Sequence, residues 1–297
     1  MRIVFIGCVQ FSYAMLETLL GMPEAEVVGV VTRQQSDFNS DFQSLAPLAE
    51  QRNIGCYFAQ GNNQAGLLDW LRPLKPDIIY CFGWPFLLKS EVLQVPKHGV
   101  VGYHPTKLPQ GRGRHPIIWT LVLGLSETAS TFFFMDEGAD SGDILSQKTV
   151  LVSDHDDAGT LYQKLTDAAR LQVRQFTSAL QNGKINRQPQ DHTKANSWRK
   201  RSTLDGQIDW RMSAKSIANL VRALSRPYPG AHCVIQGIQC KVWRAQEISF
   251  LPSEDPAALE PGKIVSTDQG LVVKCGEGFL QLIEHEIKPM PAVGQYL

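Results

Sequence analysis

Three stretches in the first third of the chain, "RIVFIGC" (2–8), "AEVVGVVT" (25–32) and "PDIIYCFG" (76–83), are apolar at almost every position. A strand with one face in water alternates polar and apolar residues. A continuous apolar run belongs to a strand buried on both faces, which is the mark of a parallel sheet covered by helices. Segments of helical period separate these runs. Phe11, Met15 and Leu19 recur in "FSYAMLETLLG" before the stop at Gly21, and "NQAGLLDWLR" (63–72) reads as another helix. The alternation predicts an α/β domain. It continues with a strand at 98–104, a helix at 116–124 and strands at 129–135 and 144–152. Apolar positions 158, 161, 165, 168, 169, 173, 176 and 180 then trace one helical face that ends at Asn182-Gly183.

Beyond that helix the pattern changes. Residues 184–207 are polar and unpatterned, and read as a solvated linker; the basic triplet Arg199, Lys200, Arg201 has no aromatic ladder that would mark a nucleic-acid surface. Ser213 can cap a helix running to about Leu224. Short strands separated by glycine-containing turns follow, a spacing that predicts a small β barrel of the OB type. The expected division is a catalytic domain at 1–188, a linker at 189–206 and an OB-like domain at 207–297.

Charge and cysteine content narrow the function classes. Lys plus Arg number 29 and Asp plus Glu 29, so no global positive field draws the chain to nucleic acid or anionic lipid. The six cysteines form no CxxC pair, which points to a reducing, cytoplasmic setting and no structural zinc. The first ten residues carry too short an apolar run for a signal peptide or a membrane span.

Parallel sheets place ligands at the carboxyl ends of their strands. Gly7 and Gly83 end two strands there, but the turn "GCVQFS" is not GxGxxG, which disfavours a nicotinamide dinucleotide. His104 ends a third strand, and Asp140 lies in the glycine-rich acidic loop "MDEGADSGDIL". If the two loops meet, the carboxylate can orient the imidazole and stabilise its protonated form, so that His104 acts as a general base. On spacing alone, His104 as a strand cap, with Asp136, Asp140 and Asp143 satisfying turn amides, is the favoured reading.

The composite of "HPTKLPQGRG", an apolar helix and "MDEGADSGDIL" resembles the folate-dependent formyltransferase family, and "MRIVFIG", "PYPGA" and "CKVWRA" extend the resemblance to nearly the whole chain. Two-domain members include sugar N-formyltransferases and methionyl-tRNA formyltransferase. The resemblance implies a Rossmann-like formyl-transfer domain followed by an OB-like one. It implies that an acceptor amine attacks the formyl group of 10-formyltetrahydrofolate, that His104 takes the amine proton and Asp140 holds the ring, and that no metal is needed. The family's oxyanion-stabilising asparagine corresponds to Gly102 here, a departure that admits a catalytically weakened homologue. For the folate the resemblance points to Trp84, Phe86 and Leu87, with Asp136, Glu137 and Gly138 opposite.

For the acceptor, the segment 32–47, where a basic inserted loop would serve tRNA, has one arginine and two aspartates, which argues for a small molecule and against nucleic acid. Arg112, Arg114 and His115 suit a nucleotide diphosphate, although Arg112 reads as support for its own loop, and any of the three can be scaffold. Thr106, Gln10, Phe11 and Ser12 complete the expected substrate contacts. The reading is an N-formyltransferase of a nucleotide-linked amino sugar, with the oligomeric state open and a homodimer allowed.

Overall fold

The computed structural model describes residues 1–36, 40–250, 255, 258–268 and 270–297. In chain order the elements are β1 (Arg2–Ile6), α1 (Gln10–Leu20), β2 (Glu26–Thr32), α2 (Ala46–Gln51), β3 (Cys56–Phe58), α3 (Gln64–Leu71), β4 (Ile78–Cys81), α4 (Ser90–Leu93), β5 (Val100–His104) and the two-residue β6 (Arg112–Gly113). There follow α5 (Pro116–Val122), β7 (Glu127–Phe134), β8 (Ile144–Leu151), α6 (Ala158–Gln181), β9 (Ser197–Trp198) and α7 (Ala214–Ala223). The last strands are β10 (Ala231–Ile235), β11 (Ile238–Ile248), β12 (Ile264–Ser266), β13 (Leu271–Lys274) and β14 (Phe279–His285). The chain divides into two compact units, one of Met1–Pro116, Glu127–Leu151 and Gln163–Trp198, the other of Ile117–Ser126, Val152–Tyr162 and Arg199–Leu297.

The first unit is built on a seven-stranded sheet of order β3-β2-β1-β4-β5-β7-β8. β1 to β5 are mutually parallel, as the continuous apolar runs predict, while β7 and β8 are antiparallel. The loop 135–143 is too short for a parallel crossover, so β8 returns as a hairpin partner. Period two sorts the residues between two covered faces. Val4, Ile6, Ile79, Cys81 and Val100 pack with Leu67 and Leu71 of α3. Phe82 stands edge-on to Phe5 and Phe132, and Phe132 packs in turn on Phe176 of α6. Tyr80, fully buried on that second face, bonds its hydroxyl to Thr177 Oγ1 at 3.0 Å, so the polar tip of a core aromatic is satisfied.

The strand order reverses between β1 and β4, which makes their carboxyl ends the topological switch point. The backbones approach closely there. A Cβ on Gly7 would lie 2.6 Å from Phe82 O, so only glycine fits.

The second unit carries a curled antiparallel sheet of order β10-β11-β14-β13-β12, with irregular register between Val242 and Ala245. Ser213 caps α7, its hydroxyl accepting from Ser216 N–H at 3.1 Å. Ile217, Leu220 and Val221 of that helix are buried. This is the OB-like module expected from the turn spacing. All six cysteines are free thiols, and among the described residues no helix is long and apolar enough to cross a membrane.

Gly7→Ala should destabilise the protein by about 1–3 kcal/mol, the usual cost of overpacking a filled site, measured as a lowered urea midpoint. An unchanged midpoint would mean that the β1–β4 crossing is looser than described.

Candidate active site

At the switch point the turn after β1 is sealed by packing. Ser12 is fully buried; its hydroxyl donates to Phe82 O at 2.6 Å and accepts Val9 N–H at 3.3 Å. Phe11 is 6% exposed and stacks on Tyr103 with ring centroids 4.0 Å apart. Both residues, expected at a sugar, are therefore core residues that join the ends of β1, β4 and β5; of the three only Gln10 faces solvent. Cys8 in the same turn is no nucleophile, because burial pushes its thiol up to about 12.

The chemistry gathers one strand further on. His104, the last residue of β5, is 5% exposed. Its Nε2 lies 2.7 Å from Gly111 O and must carry a hydrogen to bond that carbonyl. Nδ1 then faces Asp140 Oδ2 at 3.5 Å. The same carboxylate oxygen accepts Gly113 N–H at 2.9 Å. The loop between His104 and β6 is fastened to the neighbouring strands: Thr128 Oγ1 donates to Pro105 O at 2.9 Å, Thr131 Oγ1 to Thr106 O at 2.6 Å, and Gln147 Nε2 to Leu108 O at 3.0 Å. Thr106 is 2% exposed and spends its hydroxyl on Gln110 O, which makes it a loop brace.

Gly102 stands two residues before His104 on the same strand face. A Cβ there would lie 2.9 Å from Met135 Cγ and 3.0 Å from Phe133 Cζ. The volume that an asparagine would need is filled by apolar side chains.

Around this centre, Trp84 and Phe86 follow β4 half-buried and edge-on at 6.0 Å, and Leu87 is 59% exposed. Gln64 holds their loop, its amide donating to Leu87 O and its carbonyl accepting Lys89 N–H, each at 2.7 Å. Asp136 is turned onto its own loop, accepting from Gly138 N–H at 3.0 Å and Ser141 Oγ at 2.7 Å, while Glu137 and Gly138 are exposed. Arg112 donates to Gln190 Oε1 and to His192 Nδ1, so its guanidinium braces the loop. Arg114 is exposed, and His115 adopts a left-handed φ of 56°. Of the segment 32–47, residues 37–39 lie outside the described residues. An open depression of about 590 Å³ lined by Arg72, Lys75, Asp77, Glu91 and Lys97 borders the start of β4, the end away from His104.

The polar stretch expected as a linker does more than span. Asn196 Oδ1 accepts Gly111 N–H and Asn196 O accepts Arg112 N–H; β9 pairs with β6; and Trp198 ring atoms fill the space beside Gly111, whose φ is +69°. Asn196 thus holds the peptide whose carbonyl holds His104, and Gln190 holds Arg112 from the same stretch. Sequence reasoning missed both. Their partners lie 78 and 85 positions away, and an unpatterned polar segment carries no periodic signal.

Comparison with known proteins places the fold. Among solved structures, HypX from Aquifex aeolicus in complex with tetrahydrofolic acid superposes with a TM-score of 0.67 at 16% identity, over 96% of this chain and 44% of that one. This chain therefore spans less than half the length of HypX. An N-formyltransferase from Helicobacter canadensis, in complex with folinic acid and dTDP-3-aminofucose, gives 0.71 at 15% identity over 94% and 98% of the two chains. Methionyl-tRNA formyltransferase from Clostridium thermocellum gives 0.59 at 14%, over 96% and 99%. At these identities the likeness is one of fold. Residues 1–175 match the family model described as Formyl transferase and residues 200–294 that of the Formyl transferase C-terminal domain, and the chain belongs to the formyl transferase family.

Proposed function

We propose that the chain is an N-formyltransferase that moves a formyl group from 10-formyltetrahydrofolate to the amino group of a nucleotide-linked amino sugar, in the cytoplasm, for surface-glycan synthesis. The observation that carries the reading is the approach of Asp140 Oδ2 to within 3.5 Å of buried His104 in a chain of this family. The half-buried faces of Trp84 and Phe86 and the exposed loop 136–138 suit a planar heterocycle with a polar edge. Folate supplies a formyl carbon at the oxidation level the transfer needs. As an amine forms its new C–N bond to that carbon, the bond from the carbon to the donor nitrogen of folate breaks; His104 takes the proton the amine sheds, with Asp140 fixing the ring, and the departing folate nitrogen takes up one proton in its place. To take the amine proton, Nε2 must leave Gly111 O and the ring must carry its one hydrogen on Nδ1, facing Asp140 Oδ2. Acceptor binding therefore turns the Gly111 carbonyl away and shifts the tautomer; Gly111 and Gly113, at φ +69° and +103°, sit where the backbone can swing. The balanced charge of 29 basic and 29 acidic side chains supports a small acceptor over tRNA.

A second reading, a protein that binds the same ligands with weakened turnover, is favoured by Gly102. Met135 and Phe133 fill the space of the missing oxyanion donor, and one such donor is worth on the order of 10²–10³ in rate.

The test is formyl transfer to uridine- and thymidine-diphosphate amino sugars, with initiator methionyl-tRNA alongside. One sugar should turn over, and His104→Ala should lower kcat by about 10²–10⁴, the usual range for a general base. Turnover of the tRNA alone would overturn the substrate assignment; binding of folate without turnover would favour the second reading. Gly102→Asn alone should lose about 1–3 kcal/mol of stability by overpacking without a gain in rate. Paired with Met135→Ala, which opens the space, it should recover stability and raise kcat. A stable, faster single variant would contradict the packing account.

A further inference from the structure

We propose that Gln190 is a positioning residue that sets the orientation of Asp140 toward His104, an inference that rests on the formyl-transfer reading for its kinetic consequence. Asp140 has a left-handed φ of 55°, a backbone state that costs a side-chain-bearing residue something, though aspartate less than most, and that neighbouring groups can hold in place. Its own loop supplies part of the hold. Asp136 is committed to Gly138 and Ser141, and at Gly142 the loop runs so close to Phe134 O that a Cβ would overlap that oxygen. A second hold comes from outside the loop. Gln188 exchanges both backbone hydrogen bonds with Ile144, at 2.8 and 2.9 Å, where the acidic loop enters β8. This bridge carries the chain past the loop, and Gln190, two residues on, reaches into it.

Gln190 is 6% exposed, and each hydrogen-bonding position of its amide is used. Nε2 donates to Asp140 O at 2.9 Å and to Gly142 O at 2.7 Å. Oε1 accepts from Arg112 Nη2 at 2.6 Å and Nε at 3.3 Å. One side chain therefore clamps the backbone of the acidic loop to the loop that follows His104. Holding the Asp140 carbonyl fixes the peptide plane after Asp140 and so the direction of its Cα–Cβ bond. Without that hold the residue can relax to an ordinary φ, and its carboxylate swings off the imidazole.

The experiment uses the full chain with Gln190→Ala and Gln190→Glu. The second keeps an acceptor for Arg112 but sets a carboxylate oxygen against two carbonyls, and so breaks the clamp with little change of shape. Two readouts are taken: kinetics with the acceptor found above, and the ring ¹⁵N resonances of His104, assigned by their loss in His104→Ala. Both Gln190 variants should move those resonances toward their positions in Asp140→Asn while the thermal midpoint shows a folded protein. They should also lower kcat on the order of 10²-fold, the scale of an ångström's misplacement, with KM for the formyl donor changed by no more than about twofold. Unchanged ring resonances in either folded variant would overturn the proposal, as would a rise in KM with kcat intact. If the wild type turns over no acceptor, the formyl-transfer reading fails and the resonances alone decide the role of Gln190.

Discussion

The site depends on a mismatch that the sheet creates. β5 and β7 pair antiparallel with Phe134 beside Val101 and Thr131 beside His104, so the acidic loop leaves the sheet three residues below the imidazole. Strand pairing cannot bring Asp140 to His104. The loop has to fold back, through a left-handed aspartate and a glycine pressed against Phe134 O, and something must hold it there. The stretch from 187 to 198 meets that need. Arg187 lies over the Phe134 ring at 3.6 Å, Gln188 pairs with Ile144, Gln190 takes the loop backbone, and Asn196 and Trp198 take the loop on the histidine side.

The same structure explains why some of this was legible in the sequence and some was not. Strands buried on both faces write themselves as unbroken apolar runs, so β1, β2 and β4 could be read within a residue or two of their ends. On spacing alone His104 and Asp140 read as a strand cap and a turn carboxylate, and only the family resemblance joined them. Phe11 and Ser12, expected at a sugar, have buried side chains for a physical reason. A strand-to-helix turn at a sheet's carboxyl end is where ligands bind, but here Ser12 spends its hydroxyl on Phe82 O and Phe11 spends its ring on Tyr103. The helical period that includes Phe11 with Met15 and Leu19 was the better guide. The polar strap had no period to read, since its order comes from amide groups meeting backbone that lies far away in sequence.

His104 is held as much by a carbonyl as by a carboxylate. The hydrogen on Nε2 satisfies Gly111 O and keeps a buried ring from being an unpaired polar group. Under the proposed function, the same bond occupies the nitrogen that faces the acceptor amine. Gly102 lets Met135 and Phe133 lie against the strand face that His104 shares. The 110–113 backbone that holds the imidazole is tied by Asn196 on one side and by Asp140, through Gly113 N–H, on the other.

The most direct measurement is a crystal structure of the protein with folinic acid and the accepted amino sugar bound together. The account predicts that the Gly111 carbonyl turns away, that His104 Nε2 points at the acceptor nitrogen, and that Asp140 Oδ2 closes to a hydrogen bond on Nδ1. An imidazole still bonded to Gly111 O, with both ligands seated and the amine beyond its reach, would contradict it.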